Sequence, residues 1–405
     1  MAVTRRQRST LVTTTDRAGR APDTLFAGIL AVLLSAGWAA NHFAGLMPAI
    51  SDRQHLGRST LDAIFGIYAL GLLPGLLIGG RASDAYGRRS VTWVGSVTTL
   101  AGTMAMLGSQ HPDVLLVGRF IVGVGVGLMI SSCTAWASDL KGPAGAAVAG
   151  AVLTAGFAIG PFAGGAMASA GVSGVWVSFG IAAAIVVVAT VVTFVAAQRV
   201  DLAAPTAAAE ANQSVPTPQG IARALSWAMP LAPWVFASVT LGFVTLPTRM
   251  HIGLAAPLAA GAAALLVNGI SGVIQLVARA RRWGPQAGTV GATLAALGYA
   301  AAAAAPQTIP LPLGLSMLVV LGCASGLLLR EGLIDLEAAA PQRNRGALTG
   351  LFYTLTYVGF GLPLLLSTLG SAKASAIILA VMAALATATA VSRAARLRRD
   401  SHRQN

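Results

Sequence analysis

Charge is what this sequence has least of. Only 10% of its 405 residues are charged, whereas soluble domains carry about a quarter. A soluble globular domain of this length is thereby excluded. Carboxylates are scarcer than cations, 13 against 27. The cationic surplus does not indicate nucleic-acid binding, because the cations lie between apolar blocks and at the termini rather than in a patch. The chain has two cysteines, Cys133 and Cys323, each inside an apolar block in a different half. That excludes a disulfide framework, and both read as small packing residues. His42, His55, His111, His251 and His402 are scattered, and there is no P-loop, metal-ligand cluster or nucleophile motif. Neither an enzyme nor a cofactor or metal site is expected.

Apolar residues are abundant, at 55%. They fall in blocks of about twenty, the length a helix needs to cross roughly 30 Å of hydrocarbon. In lipid the backbone must satisfy itself within each segment, so the blocks predict helices and an all-α integral membrane protein. The first six spans are expected near 25–49, 60–80, 90–109, 112–137, 144–168 and 174–197. A second six fall near 228–249, 255–277, 286–306, 310–331, 347–369 and 372–392. The apolar block after Asp23 runs to about Ile50, too long for a cleaved secretory signal. The basic N-tail, 1–24, is therefore expected to stay in the cytoplasm. With that orientation only Arg53, Arg58, Arg249 and Lys373 fall outside and only Arg119 inside a span, which fits twelve spans with both ends cytoplasmic. Residues 198–227 read as a linker, with Pro205, Pro216 and Pro218, between six-helix bundles at 25–197 and 228–392. The basic tail 393–405 reads as an anchor on the inner leaflet of a bacterial-type cytoplasmic membrane. Lipid bilayer, a small-molecule substrate and protons are the expected partners, nucleic acid is not, and the chain is expected to act as a monomer.

Three motifs stand out. Between spans two and three are Gly80, Asp84, Gly87, Arg88 and Arg89. A tight turn suits Gly87, close helix approach suits Gly80, and Asp84 can pair with an arginine or a helix N-terminus. Span four carries Gly118-Arg119 followed by Gly123, Gly125 and Gly127. An intramembrane arginine costs at least ~2.5 kcal/mol and is a functional candidate by default, against a structural arginine bonded to backbone carbonyls. Span five carries Gly156, Gly160-Pro161 and Gly164-Gly165. The proline bends the helix and the small residues form a packing groove.

Together these motifs resemble the major facilitator superfamily, in its twelve-helix drug/proton-antiporter branch. The resemblance implies two pseudo-symmetric bundles rocking about a midplane site by alternating access. It implies that Asp84 docks near Gly346 at the start of span eleven and that Arg88 pairs with Asp139, forming a conformational latch. Ala85 stands where the family often has a basic residue, which thins that network. It further implies that Arg119 faces a central cavity in proton coupling, and that the span-five pattern marks proton-driven efflux. Uptake of a small metabolite is the alternative, and a non-transporting membrane sensor is a further one.

Several polar residues have two readings. Asn41-His42 in span one lies at a depth similar to Arg119, so His42 either carries the coupled proton or packs as a satisfied histidine. Ser59-Thr-Leu-Asp62 fits a capping box at the start of span two. Asn268, Ser271 and Gln275 recur at i, i+3 and i+7, a stripe that lines substrate or bonds between helices. Arg330-Glu331 either snorkels to the interface or supplies the acid of the second bundle's cavity. Mid-depth carboxylates are nearly absent, while Asp84, Asp139, Asp335 and Glu337 are expected in the cytoplasm. A lipophilic cation would need a buried negative charge, so a neutral or anionic amphipathic substrate is expected.

Overall fold

The structure, a computed structural model, describes residues 4–201, 218–250, 253–339 and 345–404. Most of the expected linker lies outside the described residues. Among these residues twelve helices are long and apolar enough to cross a bilayer. They are α1 Pro22–Gln54, α2 Arg58–Tyr86, α3 Arg88–Gly108, α4 Pro112–Gly142, α5 Ala144–Ala168, α6 Ser173–Val200, α7 Leu225–Arg249, α8 Ala256–Ala280, α9 Gln286–Ala304, α10 Leu311–Leu336, α11 Leu348–Thr368 and α12 Ala372–Asp400. An even number of crossings puts both ends on one side, called here the terminal side. The first helix runs back without a break to Thr4 and the last on to Gln404. Helices α4 and α5 form one rod broken only at Gly142 (φ 64°, ψ −156°), where Pro143 removes a donor and glycine accepts the positive φ.

Bundle packing rests on small residues, since lipid tails provide no hydrophobic force between helices and backbones must approach closely. A methyl group on Gly123 of α4 would lie 2.2 Å from the Tyr68 carbonyl oxygen of α2. Gly37 of α1 and Gly156 of α5 face each other in the same way. Gly80 departs from expectation: a methyl there meets nothing within 4 Å, and the neighbouring Gly79 makes the close contact, against Ser131. The glycine of the pair that points into the bundle is one position earlier.

The two halves meet along α5–α8 and α2–α11. Contact is tightest on the far side, where a methyl on Gly165 or Gly261 would lie 2.2 Å from the Pro257 or 2.5 Å from the Pro161 carbonyl oxygen. Toward the terminal side it loosens: the corresponding approaches are 3.8 Å for Gly272 to Thr154 and 3.9 Å for Gly350 to Leu77. The far side is the closed one. Asp62 belongs to this closure and not to a capping box. Helix α2 starts at Arg58 with Gly57 as its cap and no side-chain cap bond, so Asp62 sits a full turn inside, buried beside Ser367 of α11 and 3.8 Å from Arg58.

Two helices of the second half are irregular. Helix α7 passes through a π turn at Leu241–Thr245 and 3₁₀ turns at either end, and α11 through a 3₁₀ turn at Val358–Gly361. Such breaks expose carbonyls that lipid cannot satisfy. Thr240 of α7 donates to the Gly359 carbonyl at 2.9 Å, so one break helps satisfy the other.

Gly123→Ala is expected to lower the thermal unfolding midpoint of the detergent-solubilised protein, by about 1–3 kcal/mol of stability, because both neighbours are backbone. Gly80→Ala should leave it unchanged. Equal effects would contradict this packing scheme.

Candidate functional site

Arg119 of α4 is the largest fully buried side chain. Its Nη1 donates to the Ala40 carbonyl of α1 at 2.7 Å and its Nη2 approaches the Phe65 carbonyl of α2 at 3.5 Å. The guanidinium lies over the rings of Tyr68 (4.6 Å), Phe43 (5.0 Å) and Phe65 (5.9 Å). No carboxylate pairs with it among the described residues. Backbone carbonyls and π faces supply partial negative charge, but no counter-ion. In this conformation the guanidinium is fully buried beneath rings of its own half rather than open to a cavity.

His42 is buried within electrostatic reach of Arg119, as the shared depth of the two residues suggests. Its Nδ1 donates to the Trp38 carbonyl at 3.2 Å, and Phe179 packs edge-on at 5.3 Å. The other ring nitrogen, Nε2, has no partner. The same is true of Trp38 Nε1, Asn41 Oδ1, Tyr68 Oη and Arg119 Nε, all buried. Buried polar atoms are nearly always satisfied; unmatched ones also occur elsewhere, as at Ser96, Gln110 and Thr289, but Arg119 and Tyr68 each carry one with the guanidinium 4.6 Å from the Tyr68 ring.

An aromatic layer covers this pole from the other half. Phe360 of α11 stacks on Phe65 at 5.3 Å with planes 15° apart, and Phe243 of α7 meets Phe65 edge-on at 5.9 Å. Phe236 and Tyr357 pack on Phe360 at 5.4 and 5.3 Å. These rings sit at the irregular stretches of α7 and α11. Pro247, Gly359 and Gly361-Leu-Pro363 were the sequence signals for the breaks, and broken helices mark sites in transporters.

The Gly80 loop takes the expected form at its other members. Gly87 ends α2 at φ 87°. Arg88 donates to Asp139 at 2.9 Å and to Ser83 at 2.7 Å, and pairs closely with Asp84. The carboxylates are exposed, so each pair contributes about 0–1 kcal/mol. Arg89 lies over the Phe194 ring of α6 at 4.0 Å. The surroundings of Gly346, the partner expected for Asp84, lie outside the described residues. On α5, Gly156, Gly160 and Gly164 pack on α1, the last two against Trp38 and the His42 carbonyl, while Gly165 and the Pro161 carbonyl meet α8. The span-five motif thus touches both the candidate site and the other half.

Asn268, Ser271 and Gln275 face protein. Asn268 donates to its own helix at Ala264 and Gln275 to Ser271, while Ser271 packs on Gly326 of α10. A groove of about 630 Å3 lies on α8, lined by Ala262, Leu266, Ile270, Val273 and residues of α10. Its lining is mostly apolar and does not include Arg119, so it is not the candidate site.

Glu331 does not snorkel. It is buried against Arg330 and 3.9 Å from Arg393, which pairs with Asp335 at 2.7 Å. Arg393 also approaches the Trp227 and Pro285 carbonyls and lies over the Trp227 ring at 5.2 Å. This residue, expected in a lipid-anchoring tail, therefore ties α7, α9, α10 and α12 together inside the bundle. A signal was present: Leu379, Ala383, Ala386, Ala390 and Arg393 recur on one helical face, and all are buried.

Twelve crossings in two bundles, joined around a buried charge with broken helices beside it, define a transporter-type membrane protein. The profile described as Major Facilitator Superfamily matches residues 25–363, and the chain belongs to that family. Relatives are similar only in part. A probable polyol transporter 3 of Arabidopsis thaliana is 30% identical over 29% of this chain and 23% of its own length. A multidrug resistance protein MdtL of Klebsiella pneumoniae is 31% identical over 20% of this chain and 21% of its own. A 3-(3-hydroxy-phenyl)propionate transporter of Escherichia coli is 30% identical over 31% and 32%. In each case the match spans less than a third of the relative. Among solved structures, a peptide transporter POT superposes with a TM-score of 0.73 over 92% of this chain and 94% of that one, at 15% identity. This likeness concerns the fold.

Replacing Arg393 with leucine leaves Asp335 and part of the Glu331 charge uncompensated. The expected loss is about 3–5 kcal/mol, read as a lower midpoint of denaturation. Adding Glu331→Gln should restore part of it, so the two changes are non-additive.

Proposed function

We propose that the protein is a secondary active transporter that exports small amphipathic molecules, neutral or anionic, in exchange for protons. The observation carrying this reading is the buried Arg119 with no acid to neutralise it among the described residues. Such a charge persists in hydrocarbon only where it does something. An uncompensated cation repels cationic substrates and attracts anions or strong acceptors. The aromatic layer on α2, α7 and α11 suits the apolar part of an amphipath. Alternating access follows from two bundles that close on the far side while loosening on the terminal side. His42, beside Arg119 with one ring nitrogen free, is the proposed proton carrier, with Asn41 on the same turn.

Export is supported by the α5 pattern from Gly156 to Gly165, and by local similarity to a multidrug resistance protein. Similarity to a polyol transporter supports the second reading, uptake of a small metabolite. The proposed location is a cytoplasmic membrane with both termini inside, the Arg88–Asp139 pair acting as a latch on that side. A monomer is sufficient for this scheme.

Everted vesicles containing the protein are expected to accumulate anionic or neutral amphipaths when their lumen is acidified. Arg119→Ala should lower that flux about 5–150-fold below wild type, the scale of a lost coupling of roughly 1–3 kcal/mol. Undiminished flux in the variant would remove Arg119 from the mechanism, and outflow from these vesicles under the same gradient would support uptake.

A further inference from the structure

We infer that the site formed by Arg119 and Phe65, once the two halves part, takes aromatic carboxylates: a flat ring on Phe65 and a carboxylate on the guanidinium. This deepens the transport reading above and rests on it. The first observation is the orphan set. Arg119 Nε and Trp38 Nε1 are donors with nothing to donate to, while Asn41 Oδ1 accepts and Tyr68 Oη donates or accepts, all buried. A ligand bringing an acceptor oxygen to Arg119 Nε satisfies it, and a carboxylate does so with charge assistance. A cation or a plain hydrocarbon leaves it orphaned.

The second observation is independent and concerns the ring. Phe65 carries a stacked partner, Phe360, contributed by the opposite half of the molecule. When the halves part, Phe65 loses that partner and its face is bared beside the arginine. A planar aromatic restores the stack, whereas a saturated ring of similar size fills space without matching the π face. The Arg119 guanidinium lies 5.9 Å from the centre of the Phe65 ring. A carboxylate on the first and a ring against the second therefore require only a short linker. Phe243, edge-on to Phe65, closes the end of that slot. Phe360 thus occupies in the closed state the position a substrate ring takes in the open one, so ligand and closure compete for one surface.

The test is thermal unfolding of the purified full-length protein in detergent with four matched probes. These are cinnamate, cinnamamide, 3-cyclohexylpropanoate and 3-phenylpropylammonium. Cinnamate at millimolar concentration is expected to raise the midpoint by about 2 °C or more, as a ligand of the folded state must. Cinnamamide and the cyclohexyl acid should give less than half that shift, and the ammonium none. Arg119→Gln should lose the cinnamate shift, and Phe65→Leu should lose the preference for cinnamate over the cyclohexyl acid. Equal shifts for acid and amide, a larger shift for the ammonium, or no shift with cinnamate would each overturn the proposal on wild-type protein alone. Proton-driven flux in vesicles without any carboxylate preference would overturn this substrate class and leave the transport reading standing. A carboxylate-specific shift without flux of any compound would do the reverse.

Discussion

Hydrocarbon offers no hydrogen bonds, and every feature of this protein answers to that constraint. Regular helices satisfy their own backbones. Where α7 and α11 depart from regularity, Thr240 reaches across to the Gly359 carbonyl, which satisfies one group freed by the α11 break. Arg119 follows the same rule by leaning on the Ala40 and Phe65 carbonyls and on three rings. What the rule leaves over is also informative: Arg119 Nε and Tyr68 Oη remain unmatched, as do other buried polar atoms elsewhere in the bundles. In a medium that penalises each of them, an unmatched nitrogen on a buried arginine keeps this the candidate site.

The charges sort by depth into groups with separate tasks. Arg88 with Asp84 and Asp139 is exposed and weak, suited to breaking and re-forming as the halves move. Arg393 with Glu331 and Asp335 is buried and strong, suited to keeping the second bundle rigid while it moves. Arg119 is buried without a counter-ion and belongs to neither. Asp62 lies where α2 closes on α11 at the far side. The first bundle thus carries Arg119 and the exposed Arg88 pairs, the second carries the buried Arg393 cluster, and rings from both halves meet at Phe65 and Phe360. The small-residue face of α5 packs on α1 at Trp38 and His42 and on α8 at Pro257.

Much of this was readable in the chain. Block lengths near twenty set the number of crossings, and Arg88 and Asp139 pair as the spacing around Gly87 suggested. Arg119 declared itself because an arginine among glycines and valines has no cheap location in lipid. Asp62 and Arg393 were misassigned for one reason: each lies near the end of an apolar block, where local pattern supports a cap or a tail as readily as a buried pair. Gly80 and Gly79 differ only by the 100° turn of a helix, and nothing local says which of them meets a neighbour.

The sequence by itself determined the number of membrane crossings, the two-bundle plan and the presence of one intramembrane arginine, because hydrophobic length and the cost of charge in lipid are properties of single segments. Tertiary structure alone decided that this arginine has no acid partner among the described residues, that Phe360 stacks on Phe65, and that Arg393 lies inside the second bundle. Those outcomes depend on which faces of separate helices meet, and residues tens to hundreds of positions apart are brought together by packing that no single segment encodes.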